Sequence, residues 1–225
     1  MTALADSYTV KPSPVSTEST ETVADLLARL GGISPYRVRL RPAPGMAVVA
    51  DVVAIEAKEN RLFELVDGVL VEKCMGYWES YLAILIGTAL NNWVLPRKLG
   101  VVTGPDGMMQ LFPKLVRMPD VAFASWSRFP GGKPTNDPVP LLSPDLAVEV
   151  LSEGNTDTEM KRKREEYFKA GMRLVWIVDA KARTVTAFTG AEEFVVLQGE
   201  QTLDGGAVLP GFTLGLKALF AEVGK

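Results

Sequence analysis

Residues 143–179, SPDLAVEVLSEGNTDTEMKRKREEYFKAGMRLVWIVD, predict a strand, a loop, a helix and a second strand. The apolar run DLAVEVL is short enough for a buried strand, and LVWIVD has the same character. Between them, TEMKRKREEYFKA is rich in helix formers and ends before Gly171, a typical helix terminator. The stretch therefore predicts two buried strands joined by one helix.

One acidic residue, Glu149, interrupts the first of these strands. Burial of a carboxylate is costly unless a cation, a metal or a proton compensates its charge. A second carboxylate, Asp120, follows Pro119 and precedes the apolar VAFA in another predicted strand, VRMPDVAFAS. Mg²⁺ commonly takes one or two carboxylates together with a backbone carbonyl, waters and substrate phosphate. Two strand carboxylates therefore suggest a divalent-metal site.

The helix of this stretch carries polar residues at a regular spacing. Glu159, Lys163 and Tyr167 are four residues apart, so they project from one face. A lysine near the carboxylates would position the attacking water or neutralise charge on a phosphate.

Three further cations of the helix fall largely on its other faces, where they could contact a phosphate backbone. These residues are Lys161, Arg162 and Arg164. A solvated basic surface, in which glutamates of the same helix pair with these cations, is at least as good an interpretation as phosphate binding.

Composition excludes several kinds of site. The chain has 225 residues and 47% apolar content, which suits a globular domain with a substantial core. It has no histidine, which removes Ser-His triads and His-ligated zinc, and its one cysteine, Cys74, permits no internal disulfide. The net charge of −3 argues against a broad nonspecific nucleic-acid surface, but not against a local basic patch.

The Ser/Thr/Pro-rich residues 1–20 predict a flexible tail, and residues 21–225 predict a single domain. The sequence shows no signal-peptide pattern and no apolar run of about 18 residues, so we expect a soluble, cytoplasmic protein without a membrane span.

The segment FELVDGVLVEK, residues 63–73, predicts a hairpin with a type I′ turn at Asp67-Gly68. Its Glu64 is typical of an exposed strand carboxylate. The arginines of RVRLRPAPG, residues 37–45, could contact phosphate, but the solvated face of an edge segment is the favoured interpretation. Further predicted elements are helices over 20–30, 48–60 and 77–95, strands over 99–103 and 108–111, and C-terminal strands followed by a short helix.

An ordered set of these residues resembles the PD-(D/E)xK nuclease superfamily. The set is Pro119-Asp120, Glu149-Val150-Leu151-Ser152, Lys163 with Tyr167, Ala170-Gly171, and VWIVD at 175–179. More narrowly, the chain resembles the bacterial restriction-endonuclease branch of that superfamily, known as Uma2-like. That branch also shows a Glu-Leu-x-Asp-Gly hairpin, matched by residues 64–68, and a terminal Leu-Pro-Gly-Phe, matched by residues 209–212.

The resemblance implies an α/β fold, with a mixed central β-sheet flanked by helices in a restriction-endonuclease-like core. It also implies phosphodiester hydrolysis that depends on Mg²⁺, or alternatively Mn²⁺, with DNA favoured over RNA, and usually a homodimer. Asp120 and Glu149 would be the metal carboxylates, with the Val150 carbonyl as a further ligand. Lys163 would be the catalytic lysine, and Glu64 an additional acidic residue near the metal.

The sequence departs from the superfamily pattern in one important place. The usual lysine, two residues after the glutamate, is replaced by Leu151, so Lys163 would supply the cation from the following helix. Glu159 stands where relatives often carry Asp, and Glu79 where they often carry His, which leaves substrate details open.

Two other interpretations stay open. The chain could be a noncatalytic nucleic-acid- or protein-binding module on a nuclease fold, although the retained Asp120, Glu149 and Lys163 argue against decay. Alternatively, Glu149 and Lys163 could form a buried ion pair that only stabilises the fold.

Overall fold

The computed structural model describes residues 22–223, and the predicted tail over 1–20 lies outside that range. The helices are α1 (Val23–Arg29), α2 (Val49–Glu59), α3 (Tyr77–Arg97), α4 (Asp157–Lys169) and α5 (Leu216–Leu219). The first strands are β1 (Val38–Arg39), β2 (Phe63–Val66), β3 (Val69–Glu72), β4 (Gly100–Thr103), β5 (Met109–Phe112), β6 (Leu115–Arg117) and β7 (Val121–Ser125). The remaining strands are β8 (Leu146–Val150), β9 (Leu174–Asp179), β10 (Thr184–Phe188), β11 (Phe194–Gln198), β12 (Thr202–Gly205) and β13 (Leu209–Gly215).

The central sheet has six strands in the order β11-β10-β9-β8-β7-β4. Strands β8 and β9 are parallel and joined through α4, whereas the other pairs in this sheet are antiparallel. The strand–helix–strand stretch at 143–179 thus forms the centre of a mixed sheet. The predicted α/β class with a mixed central sheet is confirmed.

The two faces of the central sheet bury different residues. Along β8, Leu146, Val148 and Val150 pack in a core with α3 and α5, whereas Ala147 packs in a second core with Tyr167 of α4. Side chains of a strand alternate between faces with a period of two. Glu149 therefore shares the face of Ala147, which α4 covers.

A second, antiparallel sheet has the order β1-β3-β2-β6-β5. The sequence predicts VRMPDVAFAS as one strand, and that prediction is wrong. The segment divides at Met118–Asp120 into β6 of the second sheet and β7 of the central sheet. Pro119 has no N–H for a ladder hydrogen bond, which fits a crossing between sheets. Asp120 consequently lies where the two sheets meet.

Several local predictions are confirmed. Asp67 and Gly68 both have positive φ, +52° and +75°, as a type I′ turn requires. Asn60 ends α2 in the left-handed conformation. Helix α3 continues through Pro96 to Arg97, two residues beyond its predicted end. Within residues 22–223, no helix is long and apolar enough to cross a bilayer.

The expectation for the arginine segment is wrong at Arg37. This side chain is buried, and its guanidinium forms two hydrogen bonds with the Glu159 carboxylate, at 2.8 and 3.0 Å. It also donates to the carbonyls of Glu72 and Gly154. Arg37 therefore joins the N-terminal segment to the start of α4 rather than facing solvent.

The packing of the hairpin turn at Gly68 against Gly45 can be tested by substitution. A Cβ at Gly68 would lie 2.5 Å from the Gly45 carbonyl oxygen, whereas Gly132, with φ +69°, has open space around it. We expect Gly132→Ala to lower the free energy of unfolding by about 1–2 kcal/mol, the cost of the left-handed conformation. Gly68→Ala should cost roughly 1–3 kcal/mol more, because overpacking adds to that strain. Urea unfolding of both variants measures the difference. Equal losses in the free energy of unfolding would contradict the close contact between Gly68 and the Gly45 carbonyl.

Candidate active site

The site begins with two carboxylates on neighbouring strands. Asp120 immediately precedes β7, and its N–H donates to the Val148 carbonyl at 2.9 Å. Its Oδ2 accepts a hydrogen bond from the Val150 N–H at 2.7 Å. Glu149 stands between these two β8 residues, on the face that α4 covers. Both carboxylate side chains are buried, at 6% exposure each.

Lys163 of α4 brings a third carboxylate into the site. Its Nζ lies 3.2 Å from Glu149 Oε2 and 3.1 Å from Glu64 Oε1. Glu64 is 1% exposed, so the sequence expectation of an exposed strand carboxylate is wrong. The structure thus brings together all four residues singled out as catalytic in the sequence, namely Glu64, Asp120, Glu149 and Lys163.

The helix spacing accounts for this geometry. Tyr167, one turn beyond Lys163, is fully buried, and its hydroxyl donates to Glu149 Oε1. Glu159, one turn before Lys163, is buried against Arg37. Lys161, by contrast, has a side chain that is 60% exposed. One face of α4 therefore points into the site, and the Lys161 side chain lies in solvent.

Two cations in the site were not identified from the sequence. Lys73, directly after β3, places Nζ 2.8 Å from Asp120 Oδ1, and its side chain is 5% exposed. Arg117, at the end of β6, donates to Glu64 at 2.7 Å and to Glu166 at 2.8 Å. Both belong to segments distant in sequence from the carboxylates that they neutralise. A charged residue at the end of an apolar strand was the only available signal.

Burial and neighbouring charges act on these groups in opposite directions. Burial raises the pKa of the Glu149 carboxyl, and the charges of Asp120 and Glu64 add to that rise, although Lys163 opposes it. Burial would also raise the pKa of Glu64, but Lys163 and Arg117 outweigh it and hold that pKa well below its ordinary range. Glu149 is therefore the carboxyl for which the fold disfavours the charged form.

Lys163 shows the complementary effect. Burial lowers the pKa of its ammonium, but Glu149 and Glu64 outweigh burial, so the pKa lies above its ordinary value. The ammonium thus stays charged at neutral pH. It can donate hydrogen bonds and stabilise nearby negative charge, but it cannot accept a proton while it is charged.

A cavity of about 10 Å³ lies among these side chains, room for about one water molecule. Its wall includes Glu64, Lys73, Asp120, Glu149 and Lys163. A cleft of about 820 Å³ shares Cys74 with this cavity and extends past Trp78 and Lys181. Cys74 is half-buried. The cleft therefore lies beside the charged cluster and is large enough for part of a substrate.

The donor chemistry of the site suits a hard divalent ion. Asp120, Glu149 and the Val150 carbonyl supply oxygen atoms, the ligands that Mg²⁺ and Mn²⁺ prefer. Among residues 22–223, no group of three or more acidic or thiol side chains is arranged to hold a metal. Instead, Lys163 lies between Glu64 and Glu149, and Lys73 contacts Asp120.

The three helix cations proposed to track phosphate have different surroundings. Arg162 pairs with Asp67 and Glu166, both at distances below 3 Å. Arg164 lies over the Phe188 ring and contacts Glu192. Lys161 is 3.8 Å from Glu165 and largely in solvent. Phosphate binding by these side chains stays a prediction, and both arginines would have to exchange present partners.

The fold and the buried charge cluster place the chain in the restriction-endonuclease-like class of α/β proteins. A crystal structure described as "a putative nuclease belonging to DUF820", from Anabaena variabilis, is similar, with a TM-score of 0.64. The likeness covers 72% of this chain and 91% of that one at 22% sequence identity, which shows the fold alone.

The family model named Uma2, described as "Putative restriction endonuclease", matches residues 49–217, and the chain belongs to this family. The match includes every candidate site residue from Glu64 to Lys163. The segment that carries Arg37 precedes the match. No protein with a curated description matches the chain.

The raised pKa of Glu149 predicts how stability depends on pH. A group whose folded pKa exceeds its unfolded value, about 4.3 for Glu, contributes stability below that pH and loses it as pH rises through the folded pKa. Gln cannot ionise, and Lys163 keeps Glu64 as a partner. Glu149→Gln should therefore become more stable relative to wild type as pH rises from about 4 to 8.

Thermal unfolding without metal, across that pH range, measures this difference. Glu153→Gln is the matched control, because Glu153 is an exposed glutamate paired with exposed Lys181. Its stability relative to wild type should vary much less with pH. A difference for Glu149→Gln that stays constant or shrinks toward neutral pH would contradict the prediction.

Proposed function

We propose that this chain is a divalent-metal-dependent nuclease that hydrolyses phosphodiester bonds, with DNA as the favoured substrate. The observation that carries the proposal is the convergence of Asp120, Glu149 and Lys163 in a buried cluster beside an open cleft. A cluster of this kind is costly to bury, and perturbed ionisable groups beside a cleft are typical of functional sites. Membership of a family described in terms of restriction endonucleases supports the same reaction.

Asp120 and Glu149 would hold the ion, together with the Val150 carbonyl. When bound, Mg²⁺ or Mn²⁺ supplies Lewis-acid polarisation of a phosphoryl oxygen and lowers the pKa of water. Asp120 already accepts the Val150 N–H, which fixes the orientation of its carboxylate. The Tyr167 hydroxyl does the same for Glu149. Both ligands are thus oriented before any substrate arrives.

Lys163 would provide positive charge to the attacking water or the phosphate. Because its pKa is raised, its role is electrostatic and orienting rather than that of a general base. Glu64 would hold this ammonium in position, at 3.1 Å, and Arg117 in turn holds Glu64. Glu64 is therefore proposed as a positioning residue beside the metal carboxylates.

A noncatalytic role is the second candidate, and one observation favours it. Three buried carboxylates face three buried cations, so the cluster is balanced without any ion. Such a network can serve only to stabilise a binding module. That reading requires nucleic-acid or protein binding without metal-dependent cleavage.

A homodimer is proposed from the family resemblance, and sedimentation equilibrium tests it. RNA is the alternative substrate, and parallel assays with DNA and RNA of the same sequence decide between them.

The metal site predicts a change in thermal stability. A ligand that binds only the folded state stabilises it by about 2.7 kcal/mol at 100 times its Kd. Mg²⁺ or Mn²⁺ should therefore raise the Tm of wild type, and Asp120→Asn should abolish that rise. Asp106→Asn, which changes an exposed aspartate, is the matched control and should keep the rise. Equal metal-induced shifts in wild type and Asp120→Asn would show that the proposed ligand is wrong.

The lysine predicts a change in rate. Lys163→Met should lower single-turnover cleavage of plasmid DNA by about 10²–10⁴-fold, the usual size of such electrostatic or proton-transfer help. Lys169→Met, which changes an exposed lysine at the end of the same helix, should leave the rate nearly unchanged. Lys163→Arg keeps the charge and serves where the methionine variant is too unstable, since it leaves no buried carboxylate unpaired.

The same experiment separates the two candidate functions. Salt-dependent DNA binding with no metal-dependent cleavage in wild type would reject the nuclease and support the binding module. Arg162→Ala and Arg164→Ala test phosphate contacts, and a loss of affinity with a smaller salt slope is expected if those arginines contact phosphate.

A further inference from the structure

Lys73 occupies a position in the site that neither the family pattern nor the sequence pattern assigns. Its ammonium contacts three acceptors: Asp120 Oδ1 at 2.8 Å, the Met118 carbonyl at 2.6 Å and the Pro105 carbonyl at 3.1 Å. Two of its three N–H donors thus have carbonyl acceptors, and the ammonium is also paired with a carboxylate. The protein thus surrounds this cation with two carbonyl oxygens and one carboxylate.

The oxygen that Lys73 contacts is the one that remains available on Asp120. Oδ2 accepts the Val150 N–H, whereas Oδ1 faces the Lys73 ammonium. Asp120 and Lys73 both line the small cavity, together with Glu149 and Val150. A metal ligated by Asp120 would therefore compete with Lys73 for the same carboxylate.

The charge balance of the cluster makes this competition strong. The carboxylates of Glu64, Asp120 and Glu149 face three cations, Lys73, Arg117 and Lys163. A divalent ion would add two positive charges to a buried site that is already neutral. Uncompensated buried charge is strongly unfavourable, so metal binding is easiest when one cation withdraws.

Lys73 is the cation best placed to withdraw. Lys163 is fixed within α4 and bridges two carboxylates, and Arg117 bridges Glu64 and Glu166 away from Asp120. Lys73 instead stands in the irregular segment between β3 and α3, next to Cys74, which also lines the large cleft. Its flexible four-carbon stem gives the ammonium a path toward that cleft.

We propose that Lys73 is a resident cation that holds Asp120 in the metal-free protein and gives up this carboxylate when a divalent ion binds. The inference rests on the proposed function, because it takes Asp120 as a metal ligand. Lys73 is a positioning residue in this account. It keeps the carboxylate oriented and neutralised before the ion arrives, and it lowers the apparent metal affinity by having to be displaced.

Metal affinity without substrate tests the proposal. Isothermal titration calorimetry with Mn²⁺ alone should show at least tenfold tighter binding to Lys73→Met than to wild type. The metal-free variant should have a lower Tm, because Asp120 has lost its cation, and Mn²⁺ should raise that Tm by more than in wild type. Lys181→Met, an exposed lysine on the same cleft, is the matched control and should bind Mn²⁺ as wild type does.

Lys73→Gln provides a second variant that keeps hydrogen-bond donors for the Met118 and Pro105 carbonyls while removing the charge. It should show the same tightening and keeps the test decisive where Lys73→Met fails to fold. Unchanged or weaker Mn²⁺ affinity in the folded variants, with binding retained in wild type, would overturn the role of Lys73 and leave the metal site standing. Absence of Mn²⁺ binding in wild type and variants would overturn both proposals.

Discussion

The buried bridge from Lys163 to Glu64 and Glu149 is the interaction on which the site depends. Glu149 belongs to the central sheet, Glu64 to the second sheet, and Lys163 to the helix between β8 and β9. One ammonium thus fixes the relative position of three elements. Removing it would leave Glu149 without an ion-pair partner and Glu64 paired with Arg117 alone. Breaking a buried ion pair in this way typically costs about 3–5 kcal/mol. The ion pairs that set the geometry of the site therefore also stabilise the packing of α4 against the two sheets.

The direction of α4 is fixed from outside the site as well. Arg37 binds Glu159, and the Thr156 hydroxyl donates to the Gly31 carbonyl at 2.5 Å. Gly31 lies so close to the helix that a Cβ there would be 2.7 Å from the Glu159 backbone. These contacts come from a segment that precedes the family match. The N-terminal segment therefore fixes the position of the first turn of α4. That position in turn determines where Lys163 lies relative to the carboxylates.

The sequence predicted the parts of the site that follow from local pattern. Glu149 is conspicuous in an apolar strand, and Lys163 follows from helical spacing to Tyr167. Lys73 and Arg117 were missed because a cation's partner is a tertiary contact between segments 45 or more residues apart, which no local pattern encodes. The segments on the two sides of Pro119, which form β6 and β7, have the same apolar character. Only the structure therefore reveals that they belong to different sheets.

The balance of charge explains why this cluster can be both structural and functional. A buried ion pair is often no more stable than a well-packed apolar pair, so stability alone does not explain four of them in one cluster. The pKa of Glu149 is raised although Lys163 lies beside it, which means that the fold does not fully compensate this one carboxylate. Glu64, with more cationic partners, has a lowered pKa in the same cluster. A divalent ion bound beside Glu149, with Lys73 withdrawn from Asp120, would favour the charged form of Glu149, and that asymmetry favours a ligand-binding role over a purely structural one.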